Sequence, residues 1–187
     1  MNNTRDNPVP ENTLRAITER LLEEGTKARA NFQIWSLLRE DGALDHPEFG
    51  SYFYASKVGA FSLFMLALSK MFDTDERSAG FKALRRVLKE VGWHDLEANL
   101  RGQLDPMHNV VQAFMGIRSK SLVHNSTFIA RDDVYERAGL LVEDLRMLVD
   151  TACCCIEQVA QRLQIPNRGM MTNRVQTSLK SLLAQIR

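Results

Sequence analysis

Two residues of this 187-residue chain have the types and spacing for work on a phosphate diester: Arg118 and, six positions later, His124. A guanidinium offers a planar fork of donors that matches phosphate oxygens. An imidazole, with an unperturbed pKa of about 6.5, gives or takes a proton near neutrality. Lys120 lies four residues before His124 and would share its helix face. From Pro106 to Arg131 there is no Asp or Glu, while Arg118, Lys120, Arg131, His108 and His124 are present. Positive charge gathered in this way suits an anion such as phosphate.

Arg118 comes seven residues after Val111 and four before Leu122, on the apolar stripe begun by Met107, Val111 and Phe114. A charge on such a stripe either snorkels or pairs with a carboxylate at the core edge, or is held at a cleft to meet an anion. On an ideal helix the six-residue step to His124 leaves about 120° between the two side chains. They converge if the helix unwinds near Val123, or if two copies of the segment face each other. Asp73 could reach Arg118 across a bundle, but a local capping role is the simpler expectation.

The other candidates point away from metal chemistry. His46, His94 and His108 lack ligand spacing, and Asp105, three before His108, reads better as a helix N-cap. No metal and no cofactor is expected. Cys153, Cys154 and Cys155 are consecutive and have no other Cys to pair with. On a helix they diverge, so small apolar filler is expected over a soft-metal site. The stretch after Glu157 has no acid and carries Arg162, Arg168, Arg174, Lys180 and Arg187. A solvated basic face is expected there, with an extended RNA-binding surface as the alternative.

The elements that must position these residues are helical throughout. Leu14, Ile17, Leu21, Ala28, Phe32, Trp35 and Leu38 recur on one helix face, opening after Pro10 and stopping near Gly42. Asp45, with Pro47, signals a second start; that helix runs through Tyr52, Ala55, Val58, Phe61, Met65, Leu68 and Phe72. A shorter helix from about Ser78 to Glu90 turns Phe81, Leu84, Val87 and Leu88 inward. Residues 91–94 read as a loop followed by at most one turn. Asp105-Pro106 opens a helix to about Leu122. Asp132-Asp133 opens the longest one, with Val134, Ala138, Leu141, Leu145, Leu148, Ala152, Ile156, Val159 and Leu163 as its stripe. A last helix carries Val175, Leu179, Leu182 and Ile186. No alternating strand pattern is present. The expected fold is all-α: an up-and-down bundle of four main long helices with accessory short ones, in a single domain over 1–187 whose first ten residues form a flexible segment.

Composition sets the outer bounds. The chain is 44% hydrophobic and 25% charged, with 10 Gly and 5 Pro, too few turn residues for an all-β sandwich. Lys plus Arg is 24 and Asp plus Glu is 23, so the net charge of +1 excludes a strongly basic nucleic-acid coat but not a local basic site. Residues 1–11 are polar, so no signal peptide is expected. The run from Val58 to Leu68 is too short to span a bilayer, which takes about 20 residues. The expectation is a reduced, cytoplasmic protein with no membrane partner.

The segment from Gly116 to Asn125, GIRSKSLVHN, resembles the Arg-x(4–6)-His motif of HEPN domains, in the form found in the prokaryotic abortive-infection branch. Leu66 to Asp73, an apolar helix ending in an acidic turn before a short helix, is similar to that branch as well. The resemblance covers most of the chain, from the first helix to the long one after Asp132. It implies a HEPN-like bundle that dimerises through the 105–124 helix, and a metal-independent endoribonuclease acting as a toxin or phage-defence effector. RNA and an antitoxin protein are the partners it implies. His124 would act as general acid/base and Arg118 would hold the scissile phosphate, leaving a 2′,3′-cyclic phosphate. Ser119, Lys120 and Asn125 would be supporting RNA contacts. Ser119 stands where members often carry Asn, Asp or His. Ser126 stands where some carry a Tyr modified by a nucleotidyltransferase antitoxin, so that control is not implied. The alternative is a catalytically inactive HEPN-like bundle that binds a nucleotide, an RNA or a protein.

Overall fold

The computed structural model describes residues 9–40, 42–75, 77–118, 138–166 and 173–186. The stripe that opens the chain forms α1 (Val9–Glu40), 32 residues and so about 48 Å long. Leu14, Ile17, Leu21, Ala28, Phe32, Trp35 and Leu38 are all buried. The helix starts two residues earlier than expected and takes Pro10 into its first turn, where a missing N–H costs nothing.

Next come α2 (Gly50–Met71), α3 (Phe81–Glu90), α4 (His94–Leu104), α5 (His108–Arg118), α6 (Val142–Arg162) and α7 (Arg174–Ile186). No strand occurs among the described residues. Side-chain pairs give the directions. Phe32 meets Phe64 and Glu24 meets Lys70, so α2 runs antiparallel to α1. Arg15 donates to the Leu163 carbonyl at 2.9 Å and Arg29 pairs with Asp150, so α6 is also antiparallel to α1. The chain is thus an all-α helical bundle, with α5 against α2 and α6 and the α3–α4 pair at one end.

The core is aromatic at its centre. Phe64 lies within 5.4 Å of Phe32, 6.2 Å of Trp35 and 5.9 Å of Phe114, centroid to centroid, and so joins α1, α2 and α5. A second cluster of Leu37, Leu38, Ala43, Phe53 and Leu183 seats α7 on the α1–α2 turn.

Several expectations fail for definable reasons. Asp45 does not cap α2. It ends a 3₁₀ turn, and His46 Nδ1 instead accepts the Glu48 and Phe49 amides at 3.1 and 3.2 Å. The stripe expected on α2 is out of phase at its start: Tyr52 and Ala55 are exposed, while Phe53, Ala60 and Phe64 are buried. The segment after Gly92 is a full helix, α4, not a single turn. Its 3₁₀ continuation at Asp105–Met107 leads straight into α5, so Asp105 is the C-cap of α4, its amide donating to the Arg101 carbonyl, and not the N-cap expected. Asp132, Asp133 and Val134, expected to open the longest helix, lie outside the described residues; the helix that carries the later part of that stripe, α6, begins at Val142. Gly139, at φ 73°, and extended Leu141 precede it, and Asp144 Oδ2 accepts the Leu141 amide at 2.8 Å. It is therefore shorter than α1, not the longest helix. Ala138 and Leu141 are exposed. On α7 the inward residue is Leu183, not Leu182. The apolar run 58–68 is part of a longer element: by length and composition the 22-residue α2 is apolar enough to cross a membrane, and 44% of its apolar window is buried inside the bundle.

Candidate functional site

Arg118 is the last residue of α5, and its side chain lies outside the described residues. So do Ser119, Lys120, His124 and Asn125. The approach to Arg118 is described. On α5, His108, Val111, Gln112 and Met115 recur at three- and four-residue steps and line one wall of a groove of about 790 Å³. Along the helix, position 118 is three after Met115 and seven after Val111.

The opposite wall is α3. Its apolar residues Phe81, Leu84, Val87 and Leu88 are buried, as expected from the sequence. That leaves Lys82, Arg85, Arg86 and Lys89 at positions i, i+3, i+4 and i+7 on the other face, all lining the groove. This basic row is the feature the sequence reading missed. Its signal was present as the complement of the apolar face.

Part of the row is fixed by buried acid. Arg85 Nε donates to Glu97 Oε1 at 2.9 Å and reaches Asp105 Oδ1 at 3.7 Å; Lys89 Nζ is 3.5 Å from Glu97. Burial pushes the Glu97 carboxyl up, but the Arg85 hydrogen bond and the Arg85 and Lys89 charges outweigh it, so its pKa sits below the ordinary value. The Asp105 side chain is thus a partner for Arg85 rather than an N-cap. Lys82 Nζ donates to the Thr74 carbonyl at 3.2 Å, and Arg86 pairs along its own helix with Glu90 at 3.8 Å. Asp73 does not cap the helix that follows, whose N-cap is Gly80; its Oδ1 accepts the Asp75 amide at 3.0 Å within the loop between α2 and α3.

Chemically, the groove joins a cationic wall to an apolar one. Phe72, Leu104, Val111 and Met115 supply apolar surface, Lys82, Arg86 and Lys89 stand beside it, and Asp73, Glu90 and Asp105 complete the lining. Such a surface can hold a polyanion's backbone through charge and its flat, less polar groups by contact. Among the described residues, no three His, Cys, Asp or Glu come together to hold a metal.

The remaining candidates are structural. His46 Nε2 lies 3.1 Å from the Ile186 carbonyl, so with Nδ1 accepting amides this ring ties the α2 entry to the end of α7. Arg162, counted with the basic C-terminal stretch, lies 4.5 Å over the Trp93 ring and donates to Asp95 at 2.7 Å. Arg168 and Arg187 fall outside the described residues. Cys153 and Cys155 are buried, and burial pushes both thiols up to about 12; Cys154 is half-buried.

No protein-family model matches the chain, and no curated protein and no solved structure proved similar to it.

Proposed function

We propose that the chain is a HEPN-like, metal-independent endoribonuclease whose site forms where two copies bring Arg118 and His124 together. One observation carries the RNA part of the reading: a groove with a basic wall is lined by α5, the helix that ends at Arg118. RNA would lie along Lys82, Arg86 and Lys89 and present a phosphate to the Arg118 end. There Arg118 neutralises the phosphate oxygens. His124 takes the proton of the adjacent 2′-hydroxyl as its oxygen bonds to phosphorus. The bond to the 5′-oxygen breaks, and that oxygen takes a proton from the second copy's His124. A 2′,3′-cyclic phosphate and a 5′-hydroxyl result. Ser119, Lys120 and Asn125 are supporting contacts in this reading, and a cytoplasmic toxin or defence effector restrained by an antitoxin is its biological setting.

The test is incubation of the purified chain with total RNA in EDTA, beside Arg118→Ala and His124→Ala. Cleavage that persists in EDTA and disappears in both variants is expected. Folded protein that cleaves nothing overturns the enzyme. If it still retains RNA on a filter, the second reading stands: a catalytically inactive bundle that uses the same groove to bind.

A further inference from the structure

A second groove, of about 680 Å³, lies between α1, α2 and α7, and nothing in the reading above uses it. Its walls are apolar, with Ile34 and Leu38 on α1, Phe53 and Leu63 on α2, and Leu179 and Leu182 on α7. Several of its large side chains are open to water: Tyr52 is 66% exposed, Leu63 54% and Leu182 45%. Apolar side chains gathered in one concave surface mark an interaction site far more often than chance exposure does.

The spacing indicates the shape of the occupant. Along α2, Tyr52, Ser56, Gly59, Leu63 and Leu66 follow steps of four, three, four and three, the seam of a helix that receives another helix. Ser56 and Gly59 leave a hollow in that seam, and a Cβ added at Gly59 would meet nothing within 4 Å. The side chains of a docked helix would fill that hollow.

Charge indicates its chemistry. No acidic residue lines this groove, and Arg174 does. Residues 50–72 and 173–186 contain no Asp or Glu; Arg174 lines the groove and Lys180 is exposed on the same helix, while Lys70 is engaged by Glu24 of α1. Pairing this face with itself in a second copy would oppose like charges. We infer that the α1–α2–α7 groove receives an amphipathic helix of a partner protein, with large apolar residues at four- and three-residue steps and acidic residues beside them.

The experiment uses the full chain and a fluorescein-labelled synthetic 21-residue helix with Leu at both core positions of each heptad and Glu at the flanking ones. A control peptide carries Lys at those flanks. Anisotropy titration of the acidic peptide is expected to show binding that Leu63→Glu and Leu182→Glu each weaken by about tenfold or more. The Lys-flanked peptide should bind at least about tenfold more weakly. Both substitutions replace exposed residues, and a thermal melt checks that each variant is folded. No binding of the acidic peptide up to about 100 µM, equal binding of both peptides, or affinity unchanged in both variants overturns the proposal. So does sedimentation of the chain with phosphatidylserine vesicles that Leu63→Glu abolishes, which would assign the face to a bilayer. A dimer in sedimentation velocity that Leu63→Glu dissolves would assign it to a second copy, with the same consequence. None of these outcomes depends on RNA cleavage.

Discussion

The Phe64 ring on α2 meets the Phe114 ring on α5 edge-on, with centroids 5.9 Å apart, and both side chains are fully buried. Through this pair, the helix that ends at Arg118 is held to the centre of the core rather than to its rim. Phe64 also touches Phe32 and Trp35, so the position of α5 is tied to that of α1. Phe114→Ala should therefore cost about 3–5 kcal/mol, the transfer term plus the cavity left behind. Urea unfolding checks this, and a loss below about 1 kcal/mol would show that α5 is seated by other contacts.

Glu97 links stability to pH. Its folded pKa lies below the ordinary value of 4.5 because of Arg85 and Lys89. A depressed carboxylate stabilises the fold at pH above its unfolded value and loses that contribution as pH falls through the folded value. Glu97→Gln should lower stability at pH 7. Its urea midpoint should also fall less steeply than that of the wild type below about pH 4.5. Parallel curves for the two proteins would remove Glu97 as the cause.

Thiol reactivity should separate the three cysteines. With Cys153 and Cys155 buried and their thiols pushed up to about 12, neither offers thiolate at neutral pH. Iodoacetamide on the native protein should add at most one group, at Cys154, and three groups in 6 M guanidinium. Intact mass and peptide mapping read the outcome. Rapid triple labelling of the native protein would contradict the burial.

His46→Ala removes an acceptor for two amides and the contact with the Ile186 carbonyl. The expected cost is about 1 kcal/mol. Amide exchange should rise at the C-terminal end of α7 while the α6 amides keep their protection. Uniform faster exchange would mean that His46 acts through global stability instead.

On the α3 wall, Lys82→Ala and Arg86→Ala should each weaken RNA binding about equally for all sequences. Each should also flatten the dependence of log affinity on log salt by about 0.7 for single-stranded RNA. Filter binding across a salt series measures both. A change in sequence preference without a change in slope would point to base contacts rather than phosphate contacts.

The sequence showed α1 and α3 clearly because their apolar residues fall on one face with polar residues opposite. It showed α2 poorly. That helix is apolar nearly all round, so periodicity could not choose between Tyr52 and Phe53, and burial by α1 and α7 made the choice. The α4 helix was missed because only Leu96, Leu100 and Leu104 mark its buried side among charged neighbours. Asp105 looked like an N-cap because the Asp-Pro pair is a strong local signal. The partner that overrode it, Arg85, is 20 residues away and brought near only by the fold. The site was legible in part for the same reason. A row such as Lys82, Arg85, Arg86 and Lys89 is local, but the groove it borders needs α5 packed opposite.

The Arg15 bond to the Leu163 carbonyl spans 148 positions of chain. During synthesis at about 5–20 residues per second, the N-terminal end of α1 therefore waits roughly 7–30 s for the helix that covers it. For that time Leu14, Ile17 and Leu21 have no α6 to bury them. A nascent-chain binder that recognises apolar helix faces should find its longest-lived target in the first turns of α1, and the window closes when the end of α6 emerges.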